Sequence, residues 1–313
     1  MTIPKVMPLA PQASVVGVDI GGTKTHLRLR DAAGQRDLVV PTSDWRHREW
    51  QRDAGSLLEL VAHFSQGAPI AAIGVGAHGC DDSDECLAFE DAFRRAGPLP
   101  VRVVNDAELM PAAFGLERQI GVVAGTGSIA VCRAADGEML VAGGWGWIIG
   151  DEGSAASLVR EAARTVALHL DRGGTASDPL VRRLFASLEI PSAARIGSRL
   201  GSLGNAVAVG RHASLIFEAA ADGSHLADGV IRDGGRALAD LVTRLRLRGA
   251  QASSVVAGGS VIASQPRLWE AFQDGVADAC GEELALFLHQ GPPVEGAIVL
   301  ADKLAAEKAA GPR

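Results

Sequence analysis

A glycine-rich turn is the first feature of the chain whose residue types could do chemistry. Gly21, Gly22, Thr23 and Lys24 stand between two segments that favour strands, and glycine lets backbone N–H groups come close to a ligand. Thr23 and Lys24 add a hydroxyl donor and a positive charge, which suit phosphate. A P-loop needs a helix after its glycines, whereas a strand pattern follows here. The turn therefore predicts a phosphate-binding hairpin, with an ordinary hairpin turn as the alternative.

A carboxylate stands next to this turn in the sequence. Asp19 lies near the end of the β-branched run that precedes Gly21. A carboxylate beside bound phosphate needs a cation between them, and Mg²⁺ with its waters fits that need. Asp19 therefore predicts a magnesium position, while the structural alternative makes it a capping residue of the turn.

A second turn, Gly125, Thr126, Gly127 and Ser128, supplies the same donors again between two strand patterns. Two phosphate-type hairpins at matching places in two half-repeats are hard to explain as coincidence. A third loop, Gly258-Gly259-Ser260, follows a strand pattern and precedes a helix pattern. By itself this third loop indicates no more than a strand-to-helix turn that allows close approach.

Two further carboxylates follow apolar or glycine-rich segments. Asp106 comes at the end of the strand pattern 101–104, and open α/β sheets place their ligands at the carboxyl ends of strands. A carboxylate there could accept a proton from an attacking hydroxyl. Asp151 follows the glycine-rich run 143–150. Both residues precede helix patterns, so each has helix capping as its alternative role.

One His, two Cys and four acidic residues lie in the segment 78–86. Their spacing matches no established metal-ligand pattern, so we expect a solvated acidic loop there.

The elements that must position these residues form a repeat. Strand, glycine-rich turn, strand and glycine-containing turn occur over 15–34 and again over 120–137, with Gly22 and Gly127 105 positions apart. This layout predicts two related α/β domains, 1–117 and 118–313. The second contains a helical insertion, with helices expected at 157–170, 179–188, 206–221 and 237–247. A final helix over 294–309 belongs to the second range, with the option that it packs back on the first domain.

Composition excludes several classes of protein. The 313 residues are 47% hydrophobic and 21% charged with a net charge of -7, which is typical of a globular chain and disfavours nucleic-acid binding. The sequence contains no run of about 20 apolar residues, the length that a membrane span needs. Residues 1–13 are expected to form a Pro-punctuated leader without the features of a signal peptide. Four scattered cysteines favour reduced thiols and a cytoplasmic location.

Taken together, these motifs resemble a known family. Residues 16–25 and 122–128 resemble the two phosphate motifs of the superfamily of actin, sugar kinases and heat-shock chaperone ATPases, and 255–260 resembles its adenosine motif. Residues 143–154 are similar to the signature of N-acetylglucosamine kinases, in the branch that includes ATPases activating benzoyl-CoA reductase and 2-hydroxyacyl-CoA dehydratase. The resemblance implies two ribonuclease H-like (actin-like ATPase) domains with an ATP cleft between them.

The resemblance also implies how ATP and Mg²⁺ are bound. Asp19 would hold Mg²⁺ through water. The remaining contacts to ATP would come from the two turns and the third loop: Gly21, Gly22, Thr23, Lys24, Gly125, Thr126, Gly127, Gly258, Gly259 and Ser260.

The sugar site follows from the same resemblance. Asp106 would be the base for the sugar hydroxyl, and Asp151 would accept a hydrogen bond from the sugar with Ser128 nearby. Ser43 and Asp44 stand where N-acetylglucosamine kinases show Thr-Asn, which leaves the recognition of the acetamido group open.

The implied function is ATP-dependent phosphorylation of an amino sugar, foremost N-acetylglucosamine at its 6-hydroxyl. The alternatives are a glucosamine or N-acetylmuramic acid kinase, or an ATPase that activates a dehydratase or reductase. Such activators bridge an iron–sulfur cluster with Cys thiolates, and no cysteine pair in this sequence has the expected spacing. A sugar-sensing regulator would need a DNA-binding domain, for which the residues before the first strand are too few. We expect a homodimer and neither nucleic acid nor membrane as partner.

Overall fold

A computed structural model describes residues 14–281 and 283–310 of the chain; the expected leader, 1–13, lies outside them. The chain divides into two compact units. The first comprises Met1–Leu116 together with Pro292–Arg313, and the second comprises Glu117–Gly291. The final helix, for which the sequence left open packing on the first domain, groups with the first unit.

Both units contain strands as well as helices. The first unit begins with β1 (Ser14–Ile20), β2 (Lys24–Asp31), β3 (Gly34–Pro41), α1 (Trp50–Ser65), β4 (Ile70–Ala77), α2 (Ser83–Ala96), β5 (Val101–Asn105) and α3 (Leu109–Ala113). The second unit contains β6 (Ile120–Ala124), β7 (Ser128–Arg133), β8 (Met139–Gly143), α4 (Ala155–Asp171), α5 (Pro179–Ser187), α6 (Ile196–Ser202), α7 (Ala206–Gly210), α8 (Ser214–Ala221), α9 (His225–Leu247), β9 (Ser254–Gly258), α10 (Pro266–Cys280) and β10 (Ala285–Leu288). Helix α11 (Val294–Ala310) completes the first unit.

The sheet of the first unit has the order β3-β2-β1-β4-β5. β1, β2 and β3 pair antiparallel, while β4 lies parallel to β1 and β5 parallel to β4. β2 buries Leu27 and Leu29, while Arg28 and Arg30 on its other face are only partly buried, as the alternation in the sequence predicted. The carboxyl ends of β1, β4 and β5 thus share one edge of the sheet.

The sheet of the second unit repeats this topology. Its order is β10-β9-β6-β7-β8, with β6, β7 and β8 antiparallel and β9 and β10 parallel to β6. Each unit is therefore the same five-stranded mixed sheet with helices. The prediction of two related α/β domains is confirmed.

Helix α11 packs on the first sheet at positions where no side chain could fit. A Cβ on Gly74 of β4 would lie 2.2 Å from the carbonyl oxygen of Ala297, and one on Gly17 of β1 would lie 2.7 Å from the amide nitrogen of Ile298. Ala297 and Ala301 are fully buried there. Glycines on the strands and alanines on the helix let the two backbones approach closely.

Several expected elements differ from those observed. The expected helix 206–221 is two helices, α7 and α8, and the expected helix 237–247 is only the last part of α9. The segment expected as a loop over 78–86 contains the first turn of α2, capped by the Asp82 side chain, which accepts from the amide of Glu85 at 2.7 Å. Sequence pattern alone did not reveal that α7 ends at Gly210, where a Cβ would stand 3.0 Å from the Cβ of Ala155.

Within residues 14–281 and 283–310, none of the helices combines the length and the apolar character needed to cross a bilayer.

Substituting Gly74→Ala should destabilise the protein, because the new methyl group would overlap the backbone of α11. We expect a loss of roughly 1–3 kcal/mol in the free energy of unfolding, the usual cost of overpacking a core. Gly55→Ala is the matched control, since a Cβ at that position in α1 meets no atom within 4 Å. In a helix this change should stabilise by about 0.5–1 kcal/mol. Urea unfolding of both variants measures the difference, and equal stability of the two would contradict the packing described.

Candidate active site

The first glycine-rich turn joins β1 to β2 and is fixed from one side. The amide of Gly21 donates to the carbonyl of Lys24 at 3.0 Å, which closes the turn. Thr42 holds it in place: its amide donates to the carbonyl of Thr23 at 3.0 Å and its hydroxyl to the carbonyl of Gly21 at 2.9 Å. Gly22, Thr23 and Lys24 are exposed. The predicted phosphate turn is therefore a braced hairpin whose tip is open.

A buried polar chain extends this bracing to the residues after β3. The hydroxyls of Thr25 and Thr42 lie 2.9 Å apart, and the indole N–H of Trp45 donates to Thr25 at 3.0 Å. Thr42 begins the 3₁₀ turn Thr42–Asp44, which presents Ser43 and Asp44 at the surface, where the Ser43 hydroxyl donates to Asp44 at 3.3 Å. The structure therefore places both predicted sugar contacts beside the first hairpin.

Asp106 follows β5 as the first residue of the 3₁₀ helix Asp106–Glu108, and its side chain is not the cap of that helix. Asn105 is the cap: its side chain accepts from the amide of Ala107 at 2.9 Å, and Glu108 completes a capping box by accepting from the amide of Asn105. The Asp106 carboxylate lies 3.9 Å from Nδ1 of His78 and is 18% exposed. Burial raises the pKa of Asp106 and the charge of Asp81 adds to the rise, while His78 and hydrogen bonds from the backbone amides of Ala107 and Asp106 oppose it. Asp106 is thus a recessed carboxylate that the fold does not need as a cap.

Asp19 lies within β1, so it is a strand residue and not a cap of the turn. Burial raises the pKa of Asp19 to about 7, with a further contribution from the negative charge of Asp106, while Lys24 lowers it. Asp19 and Asp106 therefore lie close enough to repel each other at the carboxyl edge of the first sheet.

The loop after β4 ties these residues together. The amide of His78 donates to the carbonyl of Ile20 at 2.8 Å, and the side-chain amide of Asn105 donates to the carbonyl of Cys80 at 2.9 Å. Cys80 and Cys86 are buried. Over the described part of the chain, no group of three His, Cys, Asp or Glu side chains could hold a metal ion. The loop positions the hairpin and Asp106, a role that its sequence did not reveal.

The second glycine-rich turn joins β6 to β7. The amide of Gly125 donates to the carbonyl of Gly127 at 2.9 Å, and the carbonyl of Gly125 accepts from the amide of Ala155 at 2.8 Å at the start of α4. A Cβ on Gly127 would lie 2.9 Å from Oδ2 of Asp151, so a side chain there would press against that carboxylate. The predicted phosphate turn and the predicted sugar acceptor are therefore direct neighbours in the second unit.

Asp151 does not cap α4 either. Ser154 is the cap, with its side chain accepting from the amide of Ser157 at 3.3 Å. Asp151 is buried with a left-handed backbone (φ 54°), and its Oδ1 accepts from the amide of Gly146 at 3.2 Å. Ser128 next to the turn donates its hydroxyl to the carbonyl of Glu152 at 2.7 Å, which fixes the segment carrying Asp151.

The third loop packs directly on the second turn. Gly258 ends β9, and Gly259 has a φ of 107° with its missing Cβ only 2.6 Å from the carbonyl oxygen of Ala124. The Ser260 hydroxyl lies 3.4 Å from where a Cβ of Gly125 would stand. Close approach of two backbones is what requires glycine at 259.

A pocket of about 370 Å³ opens beside these two loops within the second unit. Thr126 and Ser260 contribute to its lining, and so do residues of α7, of α8 and of the turn between them, among them Val207, Arg211 and Phe217. The sequence pattern did not predict this wall, because the packing of α7 against Ala155 at the start of α4 is a tertiary contact. A second pocket, of about 460 Å³, lies at the end of α4 near Leu168, and none of the predicted site residues lines it.

Comparison with known proteins places these features in context. Over 173 residues the chain is 32% identical to an N-acetylmuramic acid/N-acetylglucosamine kinase of Clostridium acetobutylicum. The matched segment covers 51% of this chain and 55% of that protein. The match thus spans about half the length of this curated relative.

Solved structures share the fold. A candidate N-acetylglucosamine kinase from Chromobacterium violaceum matches with a TM-score of 0.66 at 24% identity, covering 93% of this chain and 99% of that one. A ROK family glucokinase from Streptomyces griseus, solved with glucose and AMPPNP, matches with a TM-score of 0.54 at 20% identity, again over 93% and 99%.

The family model that matches this chain describes ATPases. It covers residues 16–301, from β1 into α11, and so includes both glycine-rich turns, Asp106, Asp151 and the third loop. The resemblance inferred from the sequence motifs is confirmed: the chain belongs to the BadF/BadG/BcrA/BcrD ATPase family.

Proposed function

We propose that this protein is an ATP-dependent sugar kinase that transfers the γ-phosphoryl group of ATP to the 6-hydroxyl of an amino sugar, foremost N-acetylglucosamine. The observation that carries the proposal is Asp106, a recessed carboxylate with a raised pKa that Asn105 relieves of capping the helix. Recessed carboxylates whose pKa is perturbed by burial and by a nearby charge are candidates for functional sites. The name of the Clostridium acetobutylicum relative supports the choice of sugar.

Asp106 acts as the general base. Its raised pKa makes it a better proton acceptor than an ordinary aspartate, because proton affinity of a base rises with its pKa. His78, 3.9 Å away, orients the carboxylate and favours its ionised form. Since only the ionised form accepts a proton, turnover should rise as the pH rises through this pKa.

The glycine-rich turns bind and orient phosphate. In the first unit, Gly21 and Gly22 admit the ligand, and Thr23 and Lys24 donate to it from the open tip of the hairpin. In the second unit, Gly125, Thr126 and Gly127 donate from the second turn. Phosphoryl transfer depends mainly on such positioning and charge neutralisation.

The remaining predicted residues contact the adenosine of ATP and the sugar. Gly258, Gly259 and Ser260 lie along the adenosine, next to the 370 Å³ pocket. Asp151 accepts a hydrogen bond from a sugar hydroxyl, and Ser128 holds the backbone that carries Asp151. Ser43 and Asp44 contact the sugar from the turn after β3.

The residues present fit a magnesium ion. Among residues 14–281 and 283–310, the Asp19 carboxylate has no hydrogen-bond partner, and the nearby charge of Asp106 raises its pKa further. A cation would give the Asp19 carboxylate a partner and would offset its repulsion by Asp106. Mg²⁺ is commonly held by one or two carboxylates, water and phosphate oxygens. When bound there, Mg²⁺ would neutralise phosphate charge, and Asp19 would hold it through water.

The activator function finds less support. In the described structure three of the four cysteines, Cys80, Cys86 and Cys132, are buried and Cys280 is half-buried, so none is presented as an exposed cluster ligand. Glucosamine and N-acetylmuramic acid stay as alternative acceptors. A homodimer belongs to the proposal on the strength of the family resemblance, and a cytoplasmic location on the strength of the four scattered cysteines.

Removing the proposed base should abolish turnover but spare nucleotide binding. Asp106→Asn should lower the rate of ADP release with sugar and Mg-ATP by at least about 100-fold, the usual contribution of a positioned base. A panel of N-acetylglucosamine, glucosamine, N-acetylmuramic acid, glucose and no sugar identifies the acceptor. Asp84→Asn, an exposed acid on α2, is the control and should keep its activity. Sugar-independent ADP release by the unmodified protein would contradict the kinase function.

Neutralising Asp19 should stabilise the ligand-free protein in a pH-dependent way. Its pKa rises from 3.8 to about 7 on folding, so the folded protein binds this proton more tightly and stability falls as pH rises between these values. Asp19→Asn removes that loss. The variant should therefore gain melting temperature over the unmodified protein at pH 8 and gain less at pH 5. A gain of the same size at both pH values would show that Asp19 does not carry the raised pKa.

Filling the 370 Å³ pocket should weaken ATP binding alone. Val207→Glu places a negative charge in the wall of that pocket, so we expect the KM for ATP to rise at least about tenfold with little change in the KM for sugar. Leu168→Glu makes the same change in the second pocket and should leave both constants unaltered. Equal effects of the two substitutions would remove the support for this pocket as the adenosine site.

A further inference from the structure

Arg46 is a buried cation that no sequence motif singled out. It follows the turn that carries Ser43 and Asp44, and its amide donates to the carbonyl of Thr42 at 3.0 Å. Its side chain is only 5% exposed. A guanidinium so deeply buried needs partners for its five N–H groups.

The partners of Arg46 leave most of these donors unused. Asp53, fully buried, is its counterion, but Nε of Arg46 and Oδ2 of Asp53 are 3.8 Å apart, too far for a hydrogen bond. The other Asp53 oxygen accepts from the amide of His47 at 2.6 Å. Nε of Arg46 and Oδ2 of Asp53 are both buried without a hydrogen-bond partner, and no hydrogen bond joins Nη1 or Nη2 to a residue that the structure describes. The pair balances charge without satisfying the donors.

One edge of the guanidinium borders the loop that positions Asp106. Nη2 lies 3.7 Å from where a Cβ of Gly79 would stand, and Gly79 has a φ of 79°, so no side chain covers this edge from that residue. The next residue, Cys80, accepts through its carbonyl from Asn105, which directly precedes Asp106. Asp106 is also among the carboxylates whose charge acts on Arg46. Arg46 therefore lies between the turn of Ser43 and Asp44 and the proposed base.

We propose that Arg46 is a specificity-determining residue whose unused N–H donors bind the carbonyl oxygen of an N-acyl group on the sugar. The inference rests on the proposed kinase function and narrows it to N-acylated amino sugars. A carbonyl oxygen accepts hydrogen bonds without adding charge.

Charge separates this ligand from its alternatives. Because Asp53 already balances Arg46, a carboxylate in place of the acyl oxygen would add uncompensated negative charge near Asp106, Asp81 and Asp19. An ammonium group, as in glucosamine, would bring a cation against a guanidinium edge that can only donate. A neutral acyl oxygen avoids both costs and uses the donors that the protein leaves open.

The test is the ratio of kcat/KM for N-acetylglucosamine to that for glucosamine. The unmodified protein should favour N-acetylglucosamine at least about tenfold, and Arg46→Gln should lower this ratio at least about tenfold, as expected when hydrogen bonds from a charged donor are lost. Arg46→Lys keeps the charge beside Asp53 and should give an intermediate ratio. Arg48→Gln, an exposed arginine in the same segment, should leave the ratio unchanged.

Each outcome decides between a contact to the sugar and a structural brace. An equal loss of kcat/KM for both sugars in Arg46→Gln and Arg46→Lys would overturn the inference and leave Arg46 as a brace of the loop. Preference of the unmodified protein for glucosamine would overturn it without any variant. In both cases a phosphosugar still forms, so the kinase function stands; failure to form any phosphosugar would overturn both proposals.

Discussion

Two carboxylates held at one edge of the first sheet constrain the structure around them. Asp19 and Asp106 are both largely removed from solvent. Burial and the negative charge of Asp106 together raise the pKa of Asp19 to about 7. Such an arrangement costs stability and persists only where its surroundings fix it. The Thr25–Thr42–Trp45 chain, the capping box at Asn105 and the bond from His78 to Ile20 supply that fixation.

The second unit meets a different constraint, the close approach of backbone to backbone. Its three candidate site segments touch one another where glycine replaces a side chain: Gly127 against Asp151, and Gly259 against Ala124. The same topology is thus combined with different local features: recessed carboxylates lie at the sheet edge of the first unit, and close glycine contacts join the loops of the second. This division suits the proposed phosphoryl transfer, in which a proton must be accepted and a nucleotide held.

Local pattern in the sequence predicted the two sheets and the glycine-rich turns because strands and turns depend on neighbouring residues. It could not tell whether the candidate site aspartates are helix caps. Asp106 and Asp151 each stand before a helix, and only the structure shows that Asn105 and Ser154 do the capping. Arg46 was missed because its position depends on a tertiary contact with Gly79. The pocket wall formed by α7 and α8 was missed because α7 packs on Ala155, which is also a tertiary contact. The domain boundary at the final helix depended on such contacts as well.

Helix α11 has a consequence for how the chain is made. The first unit is discontinuous, since its sheet is packed by a helix that begins at residue 294, whereas the second unit is one uninterrupted segment. During synthesis the second unit can complete its contacts as soon as its last strand emerges. Until α11 is made, Gly17 of β1 and Gly74 of β4 lack the helix that packs on them. Contacts of such long sequence separation form late and leave apolar surface exposed meanwhile. The sheet of the first unit therefore leaves the ribosome before the second unit does, and its packing is completed after that of the second unit.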